Sequence, residues 1–508
     1  MQDSKEFLKQ RERILQGGGK KYHDKNRTEG KLFARERIQL LVDKNSFVED
    51  GMFANCLNEE LPADGVITGL GKEEGRIVAI MANDSTVKAG SWGARTVEKI
   101  IRLQETAEKL SVPVFFLVDS AGARITDQVE MFPGRRGAGR IFRNQAVLSG
   151  KIPQVCILFG PSAAGGAYIP AFCDVLIMVE KNASMYLGSP RMAEAVIGEK
   201  VSLEEMGGAR MHCTQSGCGD FLVQTEEEAL SLGRKYLSYF PQNCSSRSAE
   251  LTAVAPERST EEIKHILPVQ AARAYDVKEI IKAIVDKGTF LQIKELYAPE
   301  IITGLARLNG KVIGIIANQP LIKGGVLFVE SSDKAARFIQ ICDAFNIPLL
   351  FLADVPGYMI GSKVEREGMI RAGAKLIHCM SNATVPKITV ILRKAFGAGL
   401  YAMCGPAFDS DCVIGLPSSA IAVMGAEPAV NAVYFNKMVD MSPDQKKQFM
   451  AEKVLEYEKN INIYRMASEL VVDTLIDFSQ LRKELVDRFE LYAPKKQDRR
   501  NGSAVLPM

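Results

Sequence analysis

Two stretches of this sequence decide its fold: VPVFFLVDSAG, residues 112–122, and IPLLFLADVPG, residues 347–357. Each is a continuous apolar run of the kind expected for a strand buried on both faces. In each run an Asp follows the apolar residues and a Gly follows three positions later. Asp119 corresponds to Asp354 and Gly122 to Gly357, at one common separation of 235 residues (354 − 119 and 357 − 122). The sequence therefore contains the same segment twice.

Further blocks repeat in the same order around these two strands. Ile67-Thr68-Gly69 recurs as Ile302-Thr303-Gly304, AGGAY at 164–168 as GAGLY at 397–401, and LGSP from Leu187 as MGAE from Met424. A repeat of this length is too large for a solenoid unit and indicates a whole domain copied. We expect two similar sites, one in each copy, which can make the two halves of one active site.

The order of predicted elements gives the fold class. Strands and amphipathic helices alternate in both copies, which implies an α/β architecture with mainly parallel sheets and right-handed crossovers. A length of 508 residues with 46% hydrophobic residues suits two such domains. The Pro-, Ser- and Asn-rich stretch that begins at Phe240 is the natural linker, with a boundary near Pro256. The predicted domains are residues 1–255 and 256–508.

Composition excludes several classes of partner. A formal net charge of +3 is too small to argue for nucleic acid, and no apolar run approaches the length of a membrane span. Ten cysteines without a CxxC pair favour a reducing compartment. The charged N-terminus resembles neither a secretory signal nor an acid-poor transit peptide, so we expect a cytoplasmic protein, with a processed mitochondrial chain left open. His212, Cys213 and Cys218 lack a fourth nearby ligand, so no metal site is expected.

Two glycine-rich turns are the candidate sites of chemistry. GPSAAGGAYIP spans residues 160–170 and RKAFGAGLYAMCG spans residues 393–405, each between an apolar strand and a possible helix start. Small residues let a ligand approach the backbone closely, and free N–H groups at a helix start can stabilise an oxyanion. A tight turn without a ligand is the alternative, but two turns at matched positions favour the functional interpretation. Neither turn has a phosphate-loop ending or a complete GxGxxG motif.

No side chain stands out as the catalytic acid or base. The four histidines share no motif, and neither glycine turn carries a carboxylate. Asp119 and Asp354, which follow the buried strands, can act as bases or can cap the next turn, and the second role is the commoner. Paired backbone oxyanion sites without a side-chain acid or base point to chemistry in which a cofactor carries the proton transfer.

These motifs resemble the carboxyltransferase (beta) subunits of biotin-dependent acyl-CoA carboxylases, the propionyl-CoA and methylcrotonoyl-CoA carboxylase beta family. The resemblance extends from about residue 10 to the C-terminus and is highly specific. The segments that carry it are the block from Gly17 to Phe53, VDSAGARI, GPSAAGGAY, EEMGGARMH from Glu204 to His212, DVPGYMIG and ATVPKITVILRKAFGAG.

The resemblance implies a fold and a set of site residues. The fold is α/β, a duplicated crotonase-like (ClpP/crotonase) ββα superhelix, in which residues 1–255 bind the acyl-CoA and residues 256–508 bind the carboxybiotin. Backbone amides would form two oxyanion holes, one at Ala164, Gly165 and Gly166 and the other at Gly397, Ala398 and Gly399. The residues expected to bind the ligands are Gly122, Gly357, Phe396 and Tyr401.

The resemblance also implies cofactors and partners. The biotin would be carried on a separate biotinylated carboxylase or carrier subunit that uses ATP, since this sequence contains no AMKM attachment motif. The carboxyltransferase itself would assemble as a hexamer built from dimers. Tyr401 stands where propionyl-type members have an Asp, and MFPGRRGAGRIFRNQA at 131–146 also resembles the methylcrotonyl type. We therefore favour methylcrotonyl-CoA over propionyl- or acetyl-CoA.

Two other enzyme classes stay open as alternatives. A subunit of a biotin-dependent sodium-pumping decarboxylase would run the same half-reaction backwards, and the sequence does not fix the direction. A crotonase-type hydratase or isomerase would need carboxylates beside the glycine turns, where this chain has none.

Overall fold

The computed structural model describes residues 2–270, 273–495 and 505–506. These residues form two compact units, residues 2–248 with 505–506 and residues 249–495. Among them, no helix is long and apolar enough to cross a membrane.

The first unit is built around one mixed sheet. Its strands are β1 (Val48–Asp50), β2 (Val66–Glu73), β3 (Arg76–Asn83), β4 (Val114–Ser120), β5 (Gln154–Ala163), β6 (Val175–Val179), β7 (Ser184–Tyr186) and β8 (Phe221–Val223). They are ordered β1-β2-β3-β4-β5-β6-β8, and β7 pairs with the end of β5. The β1–β2 and β2–β3 pairs are antiparallel, and the strands from β3 onward are parallel.

Helices cover this sheet and connect its parallel strands. They are α1 (Gln2–Gln16), α2 (Lys20–Thr28), α3 (Ala34–Leu41), α4 (Ala94–Leu110), α5 (Gln128–Met131), α6 (Gly139–Leu148), α7 (Tyr168–Phe172), α8 (Pro190–Ile197), α9 (Leu203–Gly207), α10 (Ala209–Met211) and α11 (Glu226–Leu237). The apolar face of α4, with Val97, Ile100 and Ala107, is buried in the core of this unit, where α4 packs against β2, β3 and α6.

The second unit repeats the sheet strand for strand. Its strands are β9 (Leu291–Ile293), β10 (Ile301–Leu308), β11 (Lys311–Asn318), β12 (Leu349–Val355), β13 (Lys387–Phe396), β14 (Cys412–Gly415), β15 (Ala420–Ala422) and β16 (Thr474–Leu475). Their order is β16-β14-β13-β12-β11-β10-β9, with β15 paired to the end of β13. The predicted duplication and α/β class are thus confirmed.

The helices of the second unit follow the same plan and then extend it. They are α12 (Ile263–Ile266), α13 (Val277–Ile284), α14 (Val329–Ala344), α15 (Ser362–Arg366), α16 (Met369–Asn382), α17 (Ala398–Ala402), α18 (Ala426–Met438), α19 (Pro443–Asn460), α20 (Ile463–Ser468) and α21 (Leu481–Tyr492). The charged stretch after Met441 is not helical throughout, because β16 interrupts it and pairs in parallel with β14.

The boundary between the units lies seven residues before the predicted start at Pro256 (256 − 249). The end of the linker already hydrogen-bonds within the second unit: Leu251 N–H donates to Gly310 O (3.1 Å), and Arg307 Nη1 donates to Ala249 O (2.8 Å). Val505 belongs to the first unit, where its N–H and C=O both bond the hydroxyl of Ser149 (3.1 and 2.9 Å). Long-range hydrogen bonds, rather than linker composition, set this division.

Candidate active site

The first glycine turn is a single 3-10 turn, Ala164–Ala167, between β5 and α7. Ala164 has a φ of 52°, a backbone conformation that residues other than glycine rarely adopt. Ala164 and Gly165 are exposed and Gly166 is buried. Within the described chain, no protein acceptor is recorded for the N–H groups of Ala164 and Gly165, the first two residues of the turn, as expected at the start of a helical turn. The N–H of Gly166 is the first to bond within the turn, so Ala164 and Gly165 have the N–H groups that can donate to a ligand.

The second turn has the same position but a different set of donors. Gly397 has a φ of 53°, matching Ala164, and α17 begins at Ala398. The N–H of Gly397 donates to Ala422 O of β15 (2.9 Å), so this amide is already used. The N–H groups of Ala398 and Gly399 have no recorded acceptor within the described residues. Gly397 thus provides the turn, and Ala398 and Gly399 provide the donors.

Gly122 and Gly357, two of the residues expected to bind the ligands, lie beside these turns. Both have a positive φ, 92° and 133°. A Cβ on Gly122 would lie 3.2 Å from Ala163 O, and one on Gly357 would lie 4.0 Å from Phe396 O. Each of these carbonyls belongs to the last residue before a glycine turn. The structure therefore brings the strand-end glycine and the turn together within each unit.

Phe396 and Tyr401 flank the second turn. The ring of Tyr401 is 46% exposed and packs on Phe408, with ring centroids 5.3 Å apart. Phe396 lines a cleft of about 820 Å³ in the second unit, together with Lys394 and Glu427. Burial lowers the pKa of Lys394, although Asp354 acts in the opposite direction. Sequence reasoning missed both charged residues: Lys394 lies within the segment RKAFGAGLYAMCG but precedes its glycines, and Glu427 lies outside that segment.

Asp119 is held in a buried ion cluster. Lys31 Nζ lies 2.7 Å and Arg37 Nη2 3.2 Å from its Oδ2, and Arg37 also bonds Glu226. Burial alone would raise the pKa of Asp119, but Arg37 and Lys31 outweigh it and hold the pKa below its ordinary value. A buried carboxylate with two cationic partners is a poor base. The structure therefore places Asp119 as an anchor for the N-terminal segment.

Asp354 is also buried beside two cationic side chains, but both of these come from the neighbouring strand β13. Arg393 Nε donates to its Oδ2 (2.8 Å), and Lys394 Nζ lies 3.7 Å from its Oδ1. Arg393 occupies the position on β13 that Gly160 occupies on β5, as the strand registers of the two units show. In the first unit Gly160 leaves the space into which Lys31 reaches; in the second unit Arg393 fills it. In both units the carboxylate at the strand end is thus paired with cationic side chains, but different residues provide them.

The third group of interest in the sequence, around His212, has a structural role. Its Nδ1 lies 2.8 Å from Ser216 Oγ, and its Nε2 lies 2.8 Å from Met185 O, in a single π-helical turn at His212–Ser216. Among the residues that the structure describes, no group of His, Cys, Asp and Glu is arranged to hold a metal ion.

Comparison with known proteins places these features in a family. The sequence model described as the carboxyl transferase domain matches residues 25–503. An uncharacterised carboxylase of Bacillus subtilis (strain 168) is 60% identical over 98% of this chain and 97% of its own length. The mitochondrial methylcrotonoyl-CoA carboxylase beta chain of Arabidopsis thaliana is 38% identical over 93% of this chain and 83% of its own length.

A solved structure shares the whole architecture. It is the transcarboxylase 12S hexamer with methylmalonyl-coenzyme A and methylmalonic acid bound. Its TM-score is 0.93 at 38% sequence identity, and the alignment covers 98% of this chain and 96% of the other. Agreement at this level confirms the predicted crotonase-like fold of two homologous domains.

Proposed function

The chain belongs to the carboxyl transferase family, and from that premise we propose that it is the carboxyltransferase subunit of a biotin-dependent acyl-CoA carboxylase. It moves the carboxyl group of carboxybiotin to the carbon of a short-chain acyl-CoA that loses a proton, with formation of a carbon–carbon bond. This is the α-carbon of a saturated acyl-CoA and the γ-carbon of methylcrotonyl-CoA, in which the double bond conjugates the γ-carbon with the thioester. One observation carries this proposal: each unit has a turn at the same position, and two N–H groups of each turn have no recorded acceptor among the described residues.

The first turn acts on the thioester. Removal of the proton from that carbon moves negative charge onto the thioester oxygen, and this charge must be stabilised as it develops. The N–H groups of Ala164 and Gly165 are fixed donors for that oxygen and need little reorganisation during the reaction, and Gly166 lets the substrate approach them closely. Gly122 keeps the space beside the turn open, because any side chain there would crowd Ala163 O. We therefore propose that the first domain binds the acyl-CoA.

The second turn fits the ring of biotin. Biotin, bound covalently to the partner, would supply the carboxyl group and a nitrogen base for the proton of the substrate. The N–H groups of Ala398 and Gly399 suit an anionic ureido oxygen, and the Phe396 ring offers an apolar surface beside them. Gly357 keeps the approach to this turn open. We assign carboxybiotin binding to the second domain, with Tyr401 next to the transferred group.

Methylcrotonyl-CoA is the substrate that we favour. The support comes from the segments beside the two turns. The GRIFRNQA stretch forms α6, and α6 packs on α7, the helix that follows the first turn. The rings of Phe142 and Tyr168 make this contact edge to face, with centroids 5.8 Å apart. Tyr401 follows the second turn. Overall identity does not separate the substrates, since relatives named for methylcrotonoyl-CoA and for methylmalonyl-CoA are both 38% identical.

The chain needs a partner for this reaction. We propose a biotinylated subunit that also carries out the ATP-dependent carboxylation of biotin, and a hexamer of this chain built from dimers in the cytoplasm. The named assembly of the 12S relative supports the hexamer.

A carboxylation assay tests the proposal. The chain is purified with its biotinylated partner, and fixation of labelled bicarbonate is measured with acetyl-, propionyl-, butyryl- and methylcrotonyl-CoA. ATP-dependent fixation with the highest kcat/KM for methylcrotonyl-CoA is expected. Release of CO2 from a carboxylated acyl-CoA without any fixation would support the decarboxylase alternative. Hydration or isomerisation without biotin would support the crotonase-type alternative and refute the proposal.

A further inference from the structure

The sheet of the first unit is irregular just before the first glycine turn. Its register shifts at Asp119, so that this one residue of β4 lies opposite residues 159–161 of β5. A β-bulge of this kind redirects the end of a strand and is common beside active sites. β5 ends at Ala163, and the turn begins at Ala164. The direction of the turn therefore depends on how the bulge is held.

Two cationic side chains from outside the sheet hold this bulge. Lys31 Nζ donates to Asp119 Oδ1 (2.9 Å), and Arg37 Nη2 donates to Oδ2 (3.2 Å). The guanidinium of Arg37 also lies over the buried ring of Phe159, with its Cζ 4.3 Å from the ring centroid. Lys31 Nζ lies 3.0 Å from the position of a Cβ on Gly160. The N-terminal segment therefore contacts both strands of the bulge.

This segment, residues 31–37, is itself fixed by α11. Arg37 Nε and Nη2 donate to the two carboxylate oxygens of Glu226 (2.6 and 2.7 Å), and the Leu32 N–H donates to Oε2 (3.1 Å). Buried charges need partners in fixed positions, because water cannot replace a lost contact. No side chain of the ion cluster is more than 8% exposed: Lys31, Arg37, Asp119 and Glu226.

The second unit holds the equivalent bulge from within. Asp354 lies opposite residues 392–394 of β13, and Arg393, inside the bulge, donates to its Oδ2 (2.8 Å). The cation thus belongs to the strand that carries the second turn. In the first unit the position of Arg393 is taken by Gly160, and the cations come from the N-terminal segment instead. The two turns therefore differ in what fixes them.

We propose that Lys31 and Arg37 are positioning residues for the first turn: they fix the bulge and thereby set the direction of the N–H groups of Ala164 and Gly165. This inference rests on the proposed function, in which these N–H groups stabilise the thioester oxygen. Fixed donors act on a developing charge only when they point at it. A loosened bulge therefore slows the reaction of the acyl-CoA, and the second turn, held by Arg393, does not respond.

Hydrogen exchange tests the positioning without any assay of activity. In Lys31→Met the bulge loses one of its two cations, so amide exchange followed by mass spectrometry should become faster in the peptide of residues 160–172. Exchange in the peptide of the second turn, residues 393–405, should keep the wild-type rate. Lys25→Met, at an exposed ion pair with Glu29 in α2, is the matched control and should change neither peptide. Unchanged exchange at residues 160–172 in Lys31→Met would overturn the proposal.

A double variant separates positioning from folding. Lys31→Met leaves the buried carboxylate of Asp119 with one cation fewer, which destabilises the first unit. In Lys31→Met/Asp119→Asn, Arg37 and Glu226 balance each other, so the urea midpoint should return toward that of the wild type. The contact of Lys31 with the bulge is still missing, so exchange at residues 160–172 should stay fast.

Two results of this comparison would count against the proposal. Recovery of both the midpoint and the exchange rate would show that Lys31 only balances a charge. Faster exchange spread over all peptides of the first unit would assign the effect to stability, and either result would overturn the positioning role.

Kinetics connect the positioning to the reaction. In the complete complex, the double variant should lower kcat/KM for acyl-CoA by about tenfold or more, since a small misplacement of fixed groups has effects of this order. The KM for the biotinylated partner should not change, and equal losses toward both substrates would overturn the assignment to the first turn. A wild-type complex that fixes no bicarbonate with any acyl-CoA would refute the proposed function, and the exchange result would still decide the positioning.

Discussion

Replacing Gly160 by alanine should break the buried ion cluster of the first unit. A Cβ at this position would lie 1.9 Å from Asp119 Oδ1, 2.6 Å from Asp119 Cγ and 3.0 Å from Lys31 Nζ. Distances this short are impossible, and the atoms involved belong to a carboxylate at the end of a packed strand. The Asp119 carboxylate must therefore turn away from Lys31 and Arg37, which leaves buried charges without their partner.

The size of the effect follows from the burial of the cluster. The side chains of Lys31, Arg37 and Asp119 are 8%, 1% and 2% exposed, so water cannot replace the lost contacts. Breaking a buried ion pair by removing one partner costs about 3–5 kcal/mol. For a unit of this size, such a loss lowers the melting temperature by roughly 6–20 °C.

The unfolding of the first unit can be followed through Trp92. Urea and thermal unfolding of Gly160→Ala are compared with those of Gly139→Ala, whose added Cβ meets no atom within 4 Å. The control should unfold like the wild type or slightly later, since alanine favours a helix more than glycine does. Equal stability of the two variants would refute the ion-cluster reasoning. Arg393→Gly should destabilise the second unit in a corresponding way, because Asp354 loses its main partner.

Three further substitutions test the second turn, at Gly399, and two buried titratable residues, Glu73 and Lys334. Gly399→Ala should lower carboxyl transfer at least tenfold, because its Cβ would lie 2.7 Å from Val355 Cγ2; a wild-type rate in the bicarbonate assay would contradict this. Burial raises the pKa of Glu73 to about 7 from 4.5, so the folded unit keeps a proton that the unfolded chain has lost between these pH values. The free energy of unfolding should therefore fall by on the order of 3 kcal/mol as pH rises through this window. Glu73→Gln should remove that slope in urea unfolding at pH 5 and pH 8, and an unchanged slope would assign it to another group. Lys334→Met removes an ammonium that donates to four backbone carbonyls and should destabilise the second unit by at least about 3 kcal/mol. Lys311→Met, at an exposed ion pair with Glu490, is the control, and equal loss in both would contradict the prediction.

Much of the fold was readable from local patterns. Continuous apolar runs predicted β4 and β12, and a 3.6-residue period of apolar residues predicted α4. The repeated blocks predicted the duplication. Each of these patterns can be recognised from residues that are close together in the chain. The short strand β16 was missed for the same reason: it forms only by pairing with β14, about 60 residues earlier. Local periodicity there indicates helix and carries no sign of that partner.

The candidate site divides in the same way. Small residues at matched positions predicted both turns and the strand-end glycines beside them. The sequence did not show that the N–H of Gly397 donates to Ala422 O, or that the side chains of Ser162 and Trp92 lie next to Gly166. Hydrogen-bond partners of this kind are chosen by the packing of separate elements.

The sequence by itself determined the duplicated α/β fold, the two glycine turns and the family, since each is written in contiguous residues. Only the tertiary structure decided what surrounds the turns. Asp119 was open to two interpretations until Lys31, 88 positions away, and Arg37, 82 positions away, were found against it. The equivalent Asp354 takes its cation from the neighbouring strand instead. Burial makes these charges depend on whichever partner the fold brings near, and no local pattern specifies that partner.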